Sequence, residues 1–224
     1  MSRPATAVLL SAGLDSAVLT ASEARVGPVQ PLYVSTGLAW EGAERTALNR
    51  LLARAPFAGK LAPLAQLSFT VEDLYPPTHW ALNGTPPAFD TADEDVYLTG
   101  RNIALLAKAA IYCAHHRIGR IVLGPLAGNP FPDATPEFFA AMGRALTIGL
   151  AHSIVVDTPF LQMDKSDVIK LGVELGVPLE LTLSCMNPRD DRHCGECSKC
   201  RERRDGFIDA GVTDPTVYAT TPLR

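Results

Sequence analysis

The chain has 224 residues, enough for one large domain or a domain with a small appendage. With 47% hydrophobic residues it can bury a full core, which excludes disorder as its global state. A formal net charge of −4 argues against broad, unspecific attachment to nucleic acid, and no apolar run approaches the roughly 18–20 residues of a membrane span.

Taken in chain order, short apolar strands alternate with amphipathic helices, the pattern of a parallel α/β sheet. Thr6–Leu10 reads as the first strand. It follows Arg3, but the apolar run is too short for a secretion signal and is soon broken by Asp15, so the expected compartment is the cytoplasm, where thiols stay reduced. The strand delivers Ser11-Ala12-Gly13-Leu14-Asp15-Ser16 into a helix that should run to about Arg25. Val29–Val34 is a second strand, Glu41–Ala53 helical, and Leu67–Val71 a third strand.

From Glu72 to Gly100 the chain is rich in Pro, Gly, Asp and Thr without a steady period, as in a lid or binding loop. His79 and Trp80 lie in it, and the expectation is a packed tryptophan beside a solvent-facing histidine. Asn102 should cap a helix to His116 with Ile103, Leu106, Ala110 and Cys113 inward. Ile121–Gly124 is a fourth strand, Pro136–Leu150 a helix with proline in its first turn, and Ile154–Asp157 a fifth strand. Asp164 then caps a helix over Lys165–Leu175, with Asp167 in the first turn. Such a series predicts helices on both faces of the sheet and ligands beyond the carboxyl ends of the strands.

Cys185, Cys194, Cys197 and Cys200 form a C-x8-C-x2-C-x2-C arrangement. Four soft thiolates at that spacing suit a tetrahedral zinc ion, structural rather than catalytic because no coordination position stays open. The alternatives are an iron–sulfur cluster, a redox pair or two disulfides, and a reducing compartment disfavours the last. Gly195 eases a tight turn between two ligands, and Cys113 reads as a small core residue. Around these cysteines Arg189, Arg192, Lys199, Arg201, Arg203 and Arg204 interleave with Asp190, Asp191, Glu196, Glu202 and Asp205, which reads as a solvated mixed-charge surface.

A Ser/Gly-rich turn opening a helix can bind phosphate, because first-turn N–H groups lack partners and the helix dipole favours an anion. It can equally be a simple turn, and no Gly-Lys-Ser/Thr follows to make it a Walker loop. Asp15 fits an anion site if it holds a magnesium ion or orients loop amides.

Leu9 to Ser16 resembles the SGGxDS pyrophosphate loop of N-type ATP pyrophosphatases. With Gly100-Arg101-Asn102, Asp133, Glu137-Phe138, Lys165, the four cysteines and the ending Arg203, Phe207, Gly211 and Asp214-Pro215, the chain resembles the QueC family, the 7-cyano-7-deazaguanine synthases of the queuosine pathway. The likeness spans nearly the whole sequence. It implies a doubly wound, five-stranded parallel sheet of the adenine nucleotide α-hydrolase type over residues 1–180 and a zinc-binding region over 181–224. It also implies an ATP-consuming ligase that adenylates 7-carboxy-7-deazaguanine and carries it with ammonia through the amide to the nitrile.

On that resemblance Leu10, Ser11, Ala12, Gly13, Leu14, Asp15, Ser16, Gly100 and Arg101 would bind ATP with magnesium. Asp15, Ser16, Arg101 and Lys165 would carry catalysis, and Asp133, Glu137 and Phe138 would meet the substrate. The implied partners are a small carboxylate, ammonia and a second copy of the chain, with neither membrane nor nucleic acid. Three departures stand out. Ala12 replaces the second glycine of the loop, Thr36-Gly37-Leu38-Ala39-Trp40 replaces the family's Tyr-Gly-Gln-Arg-His, and Leu126–Thr135 keeps only Pro132 and Asp133 of a polar family segment. They leave open another carboxylate, an RNA target or a nucleotide-binding protein without catalysis.

Overall fold

The computed structural model describes residues 6–221. Its centre is a five-stranded parallel sheet in the order β3-β2-β1-β4-β5, formed by β1 (Thr6–Leu9), β2 (Val29–Ser35), β3 (Ala65–Ser68), β4 (Arg120–Val122) and β5 (Val155–Asp157). The chain builds outward from β1 to β3, then returns to the other side of β1 with β4. Helices α1 (Leu14–Val26), α2 (Glu41–Leu52), α3 (Trp80–Asn83), α4 (Arg101–His116), α5 (Pro136–Leu150), α6 (Lys165–Glu174) and α7 (Ser198–Ala210) complete the element order. None of the described helices is long and apolar enough to cross a membrane.

Strand alternation divides the core in two. Val8 and Val122 face a cluster that includes Ala17 and Val18 of α1, Leu51 of α2, Ile169 of α6 and Phe207 of α7. Their neighbours Ala7 and Ile121 face Leu106, Ala110 and Cys113 of α4 and Phe139 of α5. The doubly wound prediction is therefore met. The switch of direction between β1 and β4 places a crevice above their carboxyl ends.

Three local expectations are corrected. β3 lies at Ala65–Ser68 rather than Leu67–Val71, because its register pairs Leu32 with Ala65 and Ser35 with Ser68, where β2 ends. Ile103 is 49% exposed, not inward. Asn102 is not the cap of α4. Gly100 takes that position in the left-handed region, while the Asn102 side-chain nitrogen donates to the Asp133 carbonyl at 2.9 Å. Asp133 Oδ2 in turn accepts from the Asn102 backbone at 3.0 Å, so a distant carboxylate satisfies an N–H of the first turn. Asp164 does cap α6, in a reciprocal box with Asp167.

Two glycines permit close helix packing. A Cβ on Gly172 of α6 would stand 2.8 Å from Val18 Cγ2 of α1. A Cβ on Gly206 of α7 would stand 2.3 Å from Lys165 Cγ and 3.1 Å from Ile169 Cδ1, so α7 lies directly against the start of α6.

Candidate active site and metal centre

The crevice is a cleft of about 350 Å³ above β1, β2 and β4. One rim is the turn from β1 into α1. Ala12 adopts φ 65° there with its methyl fully buried, and its carbonyl accepts from Leu183 N at 2.8 Å. Ser16 Oγ donates to the Gly13 carbonyl at 2.9 Å and accepts from Ser11 N at 3.3 Å, and Ser11 Oγ accepts from Gly13 N at 3.4 Å. The serines thus brace the loop internally, while the first-turn amides of α1 are left over by helix geometry for an anion. Leu10, Ser11, Gly13, Leu14, Asp15 and Ser16 all line the cleft, and Ala12 lies beneath it.

Lys165, the first residue of α6, reaches this rim. Its Nζ donates to Asp15 Oδ2 at 2.7 Å and Oδ1 at 2.8 Å and meets Glu202 Oε1 of α7 at 2.6 Å. Burial opposes the Lys165 charge, but the two carboxylates outweigh it and hold the ammonium above its usual range. Glu202 Oε2 also accepts from Lys199 Nζ at 2.5 Å. Burial opposes the charge on Glu202 as well, yet the ammoniums of Lys165 and Lys199 bring its carboxyl down to about 2.

Arg101, the first residue of α4, also lines the cleft, and its Nε is buried without a hydrogen-bond partner among the described residues. A buried guanidinium nitrogen in that state is a donor waiting for an anion. Toward the floor, Tyr33 donates to Glu44 Oε2 at 3.0 Å. Burial pushes the Glu44 carboxyl up to about 7, against the pull of Arg101 and the Tyr33 hydroxyl. Glu41, one turn earlier on α2, accepts from Thr36 N at 2.7 Å and Gly37 N at 3.1 Å and so fixes the turn leaving β2.

Aromatic rings close the remaining side. Trp40 and Trp80 stack with centroids 5.9 Å apart, Tyr97 and Phe131 at 5.1 Å, and all four line the cleft. Trp80 is thus part of the wall. His79 is only half-buried, and its Nδ1 accepts from Ala81 N at 3.2 Å at the start of α3. Asp133 also lines the cleft. Glu137 and Phe138 stand apart from it: Glu137 is exposed in the first turn of α5, and Phe138 packs edge-on against Phe139 in the core beneath. Gly100 sits behind Arg101 as the helix cap.

The four cysteines converge. Their sulfurs lie within 4.8 Å of one another, all buried, with Cys194 and Cys197 at 3.8 and 3.6 Å from Cys200. Backbone N–H groups donate to three of them: Cys194 N to Cys185 at 3.2 Å, Glu196 N to Cys194 at 3.3 Å, and Gly195 N to Cys200 at 3.4 Å. Such bonds favour thiolate, so the donor set fits a metal ion. Gly195 has φ 83°, as its turn requires. Cys113 is buried in the core.

The centre adjoins the cleft, since Cys185 and Met186 form part of its wall. Ala88 pairs with Cys197, and Arg201 donates to the carbonyls of Phe89 and Thr91, both at 3.0 Å. The expected solvated surface is therefore corrected along α7. Arg203 is 1% exposed and bonds Leu179 O at 2.8 Å, Thr182 Oγ1 at 2.8 Å and Thr216 Oγ1 at 2.6 Å.

Sequence reasoning passed over Glu44, and it placed Lys199 and Glu202 on a solvated surface rather than in the cleft. A signal existed for the first: Glu41 and Glu44 share the helical stripe of Leu48 and Leu51, where the period calls for apolar residues.

The family described as Queuosine biosynthesis protein QueC matches residues 5–211. The 7-cyano-7-deazaguanine synthase of Methanoculleus marisnigri is 35% identical over 94% of this chain and 96% of its own length. That of Methanopyrus kandleri is 36% identical over 95% and 98%. Among solved structures, the U34-tRNA thiolase NcsA of Methanococcus maripaludis, described with its [4Fe-4S] cluster, aligns with a TM-score of 0.50 over 95% of this chain and 74% of its own. At 12% identity that likeness shows the shared α/β fold alone. Sequence likeness along almost the full chain, joined to this cleft and its four cysteines, makes the chain a member of the QueC family.

Proposed function

We propose that this protein uses ATP to convert 7-carboxy-7-deazaguanine and ammonia to 7-cyano-7-deazaguanine, as the names of its relatives indicate. The observation that carries the reading is the Asp15–Lys165 pair on the turn into α1, lining one cleft with Arg101, whose Nε has no hydrogen-bond partner among the described residues. A carboxylate is a poor electrophile. Its oxygen attacks the α-phosphorus, the bond to the bridging oxygen breaks, and pyrophosphate leaves. Ammonia then displaces AMP from the acyl carbon to give the amide. The amide oxygen takes a second adenylyl group, and loss of AMP with the amide protons leaves the nitrile.

The protein's part is positioning and charge stabilisation. The first-turn amides of α1 would cradle phosphate on the loop that Ser11 and Ser16 brace, Asp15 would supply a carboxylate for magnesium, and Lys165 would neutralise charge on the departing pyrophosphate. Arg101 meets a phosphate or the substrate carboxylate. Trp40, Trp80, Tyr97 and Phe131 offer flat surfaces to a heterocycle, in place of the polar segment that this chain lacks. Arg201 and Arg203 turn inward, and Arg204 pairs with Asp205, so no continuous basic face favours an RNA target.

The metal centre, in a region over 181–224 laid against a nucleotide-binding part over 1–180, suits zinc. A tetrahedral ion with Zn–S bonds of about 2.3 Å sets sulfurs about 3.8 Å apart, close to the 3.6 and 3.8 Å seen between Cys200 and its neighbours. A cubane cluster, with one cysteine on each of four irons, spreads its ligands more widely. The ion holds structure and carries no reaction step. A cytoplasmic homodimer completes the reading.

The test is pyrophosphate release by metal-replete protein given ATP, magnesium, ammonium and 7-carboxy-7-deazaguanine, with products read by mass spectrometry. The nitrile is expected, with turnover lowered at least about a hundredfold in Asp15→Ala. Amide alone would shorten the proposed sequence to one adenylation, and neither product would overturn it.

A further inference from the structure

Four charged side chains meet at the phosphate end of the cleft in alternating sign. Asp15 binds Lys165 at 2.7 Å, Lys165 binds Glu202 at 2.6 Å, and Glu202 binds Lys199 at 2.5 Å. All four line the cleft, and their formal charges cancel. The two added members sit three residues apart on α7, the helix that starts at the metal centre, so they reach the phosphate loop from a different element. The Lys199 side chain is 32% exposed and the Lys165 side chain 16%, so Lys199 is the outer cation of the row.

Resting on the reading of this cleft as an ATP site, we infer that Lys199 is a further binding residue for the pyrophosphate end of ATP. Glu202 is the positioning residue that sets how tightly Lys165 and Lys199 hold that anion. One carboxylate, with one oxygen on each ammonium, keeps both cations in place before ATP arrives. The same carboxylate competes with phosphate oxygens for those cations. With Asp15 given over to a magnesium ion, Glu202 would be the remaining counter-charge on Lys165. Its presence keeps pyrophosphate from binding so tightly that it stays.

The inference predicts opposite shifts for neighbouring residues. Glu202→Gln keeps the shape but removes the competing charge, so magnesium pyrophosphate should bind about tenfold more tightly. Lys199→Gln removes a cation and leaves Glu202 wholly to Lys165, so binding should weaken by about tenfold. Calorimetric titration of metal-replete protein with magnesium pyrophosphate reads both, and product inhibition of ATP turnover checks them. A merely structural role would weaken binding in both variants.

Wild-type binding with shifts of opposite sign supports the inference. Shifts of the same sign, or none, overturn it while leaving the ATP site intact. Wild-type protein that binds neither ATP nor pyrophosphate overturns the inference and the ATP-site reading together. Lys199 is partly exposed and outside the core, so Lys199→Gln should fold normally and its affinity alone decides if Glu202→Gln does not.

Discussion

Glu44 lies on the floor of the cleft with 7% of its surface exposed and its carboxyl raised to about 7 from 4.5. A carboxyl raised in this way is one the fold prefers neutral. Its contribution to stability is full below the ordinary carboxylate range, declines as pH rises toward about 7, and is absent above it. The span corresponds to about 3 kcal/mol. Glu44→Gln keeps the shape, can still meet the Tyr33 hydroxyl, and removes the titration. Denaturant unfolding at about pH 5 and about pH 8 should show a flatter dependence for the variant than for the wild type, with the variant more stable at the higher pH. A parallel dependence in both proteins would show that the charge of Glu44 is accommodated by Arg101. At this scale the turn from β1 into α1 was legible, since Ser11 to Ser16 occur in order at a strand end. Ala12 takes φ 65°, a left-handed conformation that costs an alanine about 1 kcal/mol. Glu44 left a trace in the apolar stripe of α2, whereas Glu202 left none, because a charge in a helix reveals a buried partner only when the opposing element is known.

Between elements, the meeting of α6 and α7 matters most, because Gly206 lets the stem of Lys165 pass beside α7. Gly206→Ala places a methyl 2.3 Å from Lys165 Cγ and 3.2 Å from its Cβ, so the side chain must leave its rotamer or α7 must shift. Overpacking of this kind costs about 1–3 kcal/mol. It should also swing the ammonium away from Asp15, so kcat/KM for ATP should fall at least about tenfold while circular dichroism stays native. Unchanged kinetics would show that α7 moves as a unit and takes the strain itself. Apart from α3 and α7, the helices were readable from period and caps, and Asp164 stands where α6 begins. The start of α4 was not, because its supporting carboxylate comes from Asp133, 31 positions away. An edge strand such as β3, bonded on one side only, likewise takes its limits from β2 rather than from its own side chains.

Across the whole molecule, the metal centre ties the long segment before α4 to the C-terminal helix. Ala88 pairs with Cys197, Arg201 holds the carbonyls of Phe89 and Thr91, and Val96, Tyr97 and Leu98 continue into the cleft wall. Stripping the metal should lower the melting temperature by about 10 °C. It should also raise amide hydrogen exchange across residues 86–98, with the central strands β1 and β4 still protected until global unfolding. Unaltered exchange in that segment would mean that Arg201 holds it without help from the sulfurs. The cysteine spacing disclosed a metal site in the sequence, but its position beside the cleft needed the fold, since Cys185 and Asp15 are far apart in the chain.

The charge row has one more consequence, in the order of synthesis. Asp15 leaves the ribosome early, whereas Lys165 and Glu202 are made far later, after most of the sheet. At about 5–20 residues per second the interval to Glu202 is roughly 10–40 s. A nascent chain can shape the turn after β1 well before it holds the cations that complete the charge row beside it. On the proposed reading, competence for ATP arrives with α7, and an incomplete product of translation has no finished site in which to consume nucleotide.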